Sequence, residues 1–202
     1  MFEGTPLVMV ESTEALVEMV ARLRTYKVIG VDTESDSFHH YQEKVCLIQL
    51  SDLEQDYIVD PLKVDDMSSL GELMADPDVV KIFHGADYDV VCLKRDFGYE
   101  FCNIFDTMIS AMFLGMPKIG LADLIKHYFG VYIDKKYQRH DWAKRPLLEE
   151  HLDYARGDTH WLAAIRELLI RRLEEDGRHD AVAEECAILE KREWKGRGDH
   201  SA

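Results

Sequence analysis

The sequence predicts an α/β fold: a mixed β-sheet flanked by helices, with a mainly helical C-terminal half. Three observations carry this expectation. Short runs rich in β-branched residues recur at 27–33, 45–52, 56–60 and 78–84; stretches with helical apolar spacing separate them; and from Pro146 to Asp176 the spacing is helical throughout.

Ser12 and Thr13 offer caps for a first helix whose Leu16, Val17, Val20 and Leu23 share one face. The strand at 27–33, overlapping "VIGVDTE" (28–34), follows. "VCLIQLSD" (45–52) and "DYIVD" (56–60) meet through the polar "DLEQ", which predicts an antiparallel hairpin, and Pro61 closes the second strand. "MSSLGELMAD" reads as a helix and "DVVKIFH" as a strand. With "DYIVD" before them these make a strand, crossover helix and strand unit, and "GADYDVVCLKRDFG" then turns into a helix stopped at Gly98. "FDTMISAMFLGM" and "GLADLIKHYFG" are helical, and the last long helical stretch starts near Pro146. No internal repeat or low-complexity segment interrupts residues 1–190, which read as one domain. The polar "KREWKGRGDHSA" (191–202) reads as a flexible tail.

At 202 residues, 47% apolar and 31% charged, the chain can bury a substantial core, which excludes disordered and collagen-like classes. No apolar run approaches the roughly 20 residues that cross a bilayer, and the N-terminus lacks the basic and apolar regions of a signal peptide, so a cytoplasmic protein without membrane contact is expected. Cys46, Cys92, Cys102 and Cys186 form no CxxC and are expected to be reduced. The histidines form no HExxH, and His39 and His40 would point opposite ways on an extended chain. A net charge of −15 excludes coating nucleic acid by bulk electrostatics. Local contact is still open, because "KKYQRHDWAKR" (135–145) holds five basic residues against one acid, with two aromatics interleaved. That segment suits a phosphate backbone and stacked bases, or equally a solvated loop.

Carboxylates recur where packing alone would not ask for them. Asp32 and Glu34 lie two apart at a strand end and so share a sheet face; Asp89 opens a helix just past another strand; Tyr154 and Asp158 are four apart in the late helical stretch. Each alone has a plain reading as a turn, a cap or an unremarkable helix pair. Together, uncompensated, such carboxylates would repel and bind protons, a conflict that hard divalent cations resolve. Oxygen-only ligands select Mg²⁺ or Mn²⁺, and two such ions about 4 Å apart can clamp a phosphoryl displacement. Metal-dependent phosphodiester hydrolysis is the resulting hypothesis.

"VIGVDTES", "IFHGADYDVVCLKRDFG" followed by "IFDT", and "YARGDTHWL" resemble, in this order, the three motifs of the DEDDy 3′-to-5′ exonucleases, and "YQRHDWAKRPL" narrows the resemblance to ribonuclease D and the catalytic subunit of the nuclear exosome. The similarity runs from about residue 10 to about 190. It implies a ribonuclease H-like fold, a DEDDy 3′-5′ exonuclease domain over 1–190, and catalytic residues Asp32, Glu34, Asp89, Tyr154 and Asp158, with Asp89 rather than Asp87 as the aspartate of the second motif. Family members ordinarily continue into helical RNA-binding domains, and these 202 residues end before one.

By the same resemblance, Asp32 would bridge two divalent cations, Mg²⁺ or Mn²⁺. Glu34 and Asp158 would complete one ion site, Asp89 would serve the other, and Tyr154 would orient the attacking water. Gln49, Leu50 and His84 are candidates for the terminal-nucleotide pocket, with core packing the alternative for Leu50 and bracing of the turn for His84. Lys136, Arg139 and Trp142 are candidates for phosphate contact, with packing the alternative for Trp142. Asp106 is read as a helix cap. The expected substrates are single-stranded RNA 3′ ends, tRNA precursors among them, trimmed to nucleoside 5′-monophosphates. A DNA 3′-5′ exonuclease and a non-catalytic RNA-binding protein on the same fold are the rival readings.

Overall fold

The computed structural model describes residues 2, 4–37 and 43–194. His39, His40 and residues 195–202 of the expected tail lie outside the described residues. The described chain builds one six-stranded mixed sheet with flanking helices. In chain order the elements are β1 (Leu7–Val10), α1 (Thr13–Leu23), β2 (Val28–Ser35), β3 (Val45–Ser51), β4 (Asp56–Val59), α2 (Ser68–Met74) and β5 (Val80–Phe83). There follow α3 (Asp87–Phe97), β6 (Ile104–Asp106), α4 (Thr107–Phe113), α5 (Leu121–Phe129), α6 (Glu149–His160), α7 (Leu162–Glu175) and α8 (His179–Leu189).

The strands lie in the order β1-β4-β3-β2-β5-β6, and β3 alone runs antiparallel to its neighbours. The expected hairpin is β3–β4. The expected strand, crossover helix and strand unit is β4-α2-β5, which passes over β3 and β2; a second such unit, β5-α3-β6, joins adjacent parallel strands. Ser12 caps α1, accepting the Ala15 N–H at 3.2 Å. Within α1, Leu16, Val20 and Leu23 are buried as the spacing predicts, but Val17 is 51% exposed and Met19 takes the inward position. An apolar arc wider than the buried stripe made the two indistinguishable in sequence.

Three differences from the sequence reading concern the site. The strand expected at 27–33 runs to Ser35, with a bulge at Glu34/Ser35. The two short parallel strands β1 and β6 flank the sheet without having announced themselves, because four and three residues are too few for a period to show. The helical stretch after Pro146 is two helices, broken at Trp161. No Pro or Gly marks that break. It arises from packing: the Trp161 ring lies against Phe129 at 4.9 Å, and the chain on both sides of it bears on β2.

Gly30 makes that approach possible. A Cβ there would sit 2.9 Å from the Thr159 carbonyl oxygen and 3.3 Å from Leu162 Cβ. The end of α6 is also pinned by a Ser51–Thr159 hydroxyl contact of 2.7 Å and by Asp56, which accepts from Arg156 Nε at 2.8 Å and lies 3.0 Å from His160 Nδ1. Since side chains alternate along β2, the face of Gly30 is also that of Asp32 and Glu34. The packing that docks α6 therefore positions the acids.

Candidate active site

Asp32 and Glu34 project from the α6 side of β2, and Asp158 meets them from α6. One carboxylate oxygen from each of the three lies within 4.8 Å of the others. Asp89 enters from the other side of the sheet: it is buried in the first turn of α3 and accepts a 2.5 Å hydrogen bond from the Thr33 hydroxyl. Residues 32–34 thus serve both layers, two acids toward α6 and the threonine between them toward α3. Asp87 stands apart, exposed and ion-paired to Arg192 at 2.8 Å.

The turn that launches α3 is itself held. Gly85 adopts φ +78, and the Gly85 and Ala86 N–H groups donate to the Asp106 carboxylate at 3.1 and 2.7 Å. Asp106 also caps α4 through the N–H groups of Met108 and Ile109 at 2.8 and 3.1 Å. The expected cap is present, and it doubles as a clamp that sets α3, and hence Asp89, against α4.

Each clustered acid holds its proton far above its usual range. For Asp32 the causes are burial and then the charges of Asp89, Asp158 and Glu34; for Glu34 they are burial and then Asp158 and Asp89. Burial pushes Asp89 up to about 7, against the opposing pull of the Thr33 hydrogen bond. Burial and the Asp89 charge push Asp158 up to about 7. Acids that raise one another's pKa in this way are compensated by a bound cation, which the cluster suits. The donors are carboxylate oxygens alone, which fits a hard divalent ion such as Mg²⁺ or Mn²⁺ and not a softer metal.

Asp32, Glu34 and Asp158 open, with Thr33, into a cleft of about 250 Å³ whose walls add His84, Leu121, Gln138 and Tyr154. The Tyr154 ring is stacked on Trp142 at 6.0 Å and meets the edge of Tyr137 at 5.8 Å. Burial and the charges of Asp158, Glu34 and Asp32 raise the pKa of its phenol, so Tyr154 keeps its proton and can donate. The His84 Nδ1 lies 2.9 Å from the Thr107 hydroxyl, and burial keeps the imidazole neutral by lowering its pKa.

Asp32, Glu34, Tyr154, Asp158 and His84 therefore line one cleft, while Asp89 lies outside its lining and is near enough for its charge to raise the pKa values of Asp32, Glu34 and Asp158. Gln49 lies opposite Asp32 across the sheet but is wholly buried, and Leu50 is buried in the main core, so neither lines the cleft. A strand buried at every position, as β3 is, does not show in sequence which residues face a site. Trp142 is 1% exposed and packs with Cys46, Leu47, Ile58 and Ala155; it supports Tyr154 from behind and presents no face to a base. Lys136 is exposed, ion-paired to Glu150 at 3.1 Å, and lines a neighbouring cavity of about 590 Å³ that shares Tyr154 with the cleft. Arg139 is exposed on the same segment. Arg145, counted in sequence among the basic residues suited to phosphate, is instead a tie: it donates to both Asp60 oxygens at 2.8 Å and to the Cys46 carbonyl at 3.1 Å. Sequence reasoning missed Thr33, Gln138 and Leu121. Thr33 had a signal in its place between two acids.

A protein-family model described as 3′-5′ exonuclease matches residues 7–174. Exosome complex component 10 of Mus musculus is 41% identical over 179 residues, covering 88% of this chain and 20% of that protein. Among solved structures, the catalytic core of RRP6 from Trypanosoma brucei superposes with a TM-score of 0.91 at 38% identity, over 94% of this chain and 53% of that one. RNase D of Escherichia coli superposes with a TM-score of 0.86 at 33% identity, over 91% and 49%. The chain spans about a fifth of the length of the curated relatives it matches. Sequence match, sheet order and acid geometry agree, and the chain belongs to the ribonuclease H-like DEDDy family of 3′-5′ exonucleases.

Proposed function

We propose that this protein is a metal-dependent 3′-5′ exoribonuclease that trims single-stranded RNA 3′ ends, tRNA precursors among them, and releases nucleoside 5′-monophosphates. The observation that carries the reading is the convergence of Asp32, Glu34 and Asp158 within 4.8 Å, beside a phenol that keeps its proton. Further support comes from RNase D of Escherichia coli, described as an exoribonuclease involved in structured RNA processing.

Asp32, Glu34 and Asp158 would hold one Mg²⁺ or Mn²⁺, and Asp32 with Asp89 a second. Bound cations of this kind neutralise phosphate charge and make water a stronger nucleophile. The chain's own groups do the rest. Thr33 fixes the Asp89 carboxylate, α6 sets the angle of Asp158 to β2, and Tyr154, braced by Trp142, donates its hydroxyl hydrogen bond to hold the attacking water in line with the terminal phosphodiester. Attack at phosphorus breaks the bond to the 3′ oxygen of the penultimate nucleotide. That oxygen takes a proton, and the last nucleotide leaves with its 5′ phosphate. The acidic chain could still hold a polyanion at this point, because cations held by these carboxylates would reverse the local field.

The test is hydrolysis of 5′-labelled and 3′-labelled single-stranded RNA, and of DNA of equal sequence, with Mn²⁺ and with EDTA. The expected result is a ladder shortening from the 3′ end, release of labelled 5′-monophosphate, and no activity in EDTA. Activity that survives chelation, or cleavage from the 5′ end, would overturn the reading. Faster hydrolysis of the DNA would make the chain a DNA exonuclease. Absence of hydrolysis with normal heat of Mn²⁺ binding would leave a non-catalytic binder.

A further inference from the structure

We propose that His84 reads a hydroxyl of the 3′-terminal ribose, and that this contact favours RNA over DNA ends or an intact 3′ hydroxyl over a blocked one. The proposal rests on the exoribonuclease reading above.

The tautomer of His84 follows from its neighbours. The Thr107 hydroxyl has one proton and makes two contacts, 3.0 Å to the Phe83 carbonyl and 2.9 Å to His84 Nδ1. A carbonyl can only accept, so the hydroxyl proton goes to Phe83, and Nδ1 must donate to the Thr107 oxygen. Nε2 therefore carries the lone pair. Thr107 is wholly buried, which seals the Nδ1 edge, and the ring still lines the cleft, so the edge presented there is the one with Nε2. Among the described residues, none hydrogen-bonds to Nε2.

A neutral, fixed acceptor beside a carboxylate cluster is an unusual thing to offer a nucleic acid. Phosphate oxygens are acceptors too and gain nothing from it. A substrate donor is required. Base amines are donors, but an exonuclease that removes every base in turn meets a different edge at each step, so a fixed reader must address what does not change. Next to the terminal phosphate, the invariant donors are the sugar hydroxyls, and the 2′ hydroxyl is the one that separates RNA from DNA.

The experiment measures kcat/KM with Mn²⁺ on one RNA sequence carrying three different ends: ribose, 2′-deoxyribose and 3′-deoxyribose. The parent is expected to prefer the ribose end over at least one deoxy end by about tenfold or more, since a buried acceptor left unpaired carries a cost. The deoxy end that is disfavoured identifies the hydroxyl. His84→Leu should bring that ratio close to one, and His84→Gln, which places an acceptor near the Nε2 position, should restore part of it. Thr107→Val, which frees the ring while leaving His84 in place, should lower the same ratio and serves if His84→Leu fails to fold. A parent that cuts all three ends alike, or a His84→Leu variant that slows on all three while keeping the parent's ratio, would overturn the assignment. Failure of the parent to hydrolyse any of the three RNAs would instead overturn the exoribonuclease reading, and this assignment with it.

Discussion

Replacing Asp158 by asparagine should stabilise the metal-free protein at pH 8 while ending the RNA hydrolysis proposed for it. The unfolded carboxyl titrates near 3.8 and the folded one near 7, so between those values the folded state binds more protons. Stability therefore falls as pH rises through that window and stays reduced above it. A difference of about three pH units at about 1.4 kcal/mol each sets an upper bound of about 4 kcal/mol. Asp158 is only half-buried, and water screening cuts the expected gain to about 2 kcal/mol. In a chain of this length that raises Tm by about 4–8 °C. The assay is thermal unfolding of parent and variant in EDTA at pH 8 and again at pH 4, where the gap should close, and then at pH 8 with Mn²⁺. The ion should stabilise the parent and leave the variant nearly unmoved. A variant less stable than the parent in EDTA at pH 8 would refute the claim that the carboxylates strain the empty cluster.

Tyr154→Phe should bind Mn²⁺ as the parent does by calorimetry and lose about a hundredfold or more in kcat, and an unchanged kcat would remove the phenol from the reaction. Asp56→Asn should destabilise the fold by about 3 kcal/mol or more, because it strips the charge partner from buried Arg156; denaturant titration measures it. In the parent, burial pushes the Asp56 carboxyl up, but the hydrogen bonds from His160, Ser51 and Arg156 outweigh it and hold the carboxyl below its ordinary value. Its stabilisation should be complete above about pH 4 and fade as pH falls below that, a fade missing from the variant. Gly30→Ala, with its Cβ 2.9 Å from the Thr159 carbonyl, should cost about 1–3 kcal/mol and reduce kcat by displacing Asp158; activity at the parent level would show that α6 tolerates the shift.

What could be read in the sequence was local. The spacing of Asp32 and Glu34, the capping of α1 by Ser12 and the stop at Gly98 each need only a few neighbouring residues, and the structure has them in place. What could not be read depends on packing. Gln49 and Leu50 belong to a strand buried at every position, and Trp142 is a buried side chain in a largely exposed segment; in both places only the fold decides what faces the cleft. The break at Trp161 has no breaker residue, because its cause is the approach of α6 and α7 to Gly30. Thr33 was marked by its place between two acids, but its partner was hidden: Asp89 is set by the turn that Asp106 clamps, and no spacing in the sequence records that.

The acids arrive in chain order, and that order has a consequence for when the protein becomes active. Asp32, Glu34 and Asp89 are in the first half of the chain; Asp158 is in α6, and its oxygen is one of the three that define the cation site. A chain still being made therefore has acids but no site, and the site closes only when α6 seats itself on Gly30 and Asp56. Because long-range docking is among the slower events of folding, closure comes late. For the exoribonuclease proposed above this order is a safeguard: the acids of the first half of the chain make no cation site until α6 has docked.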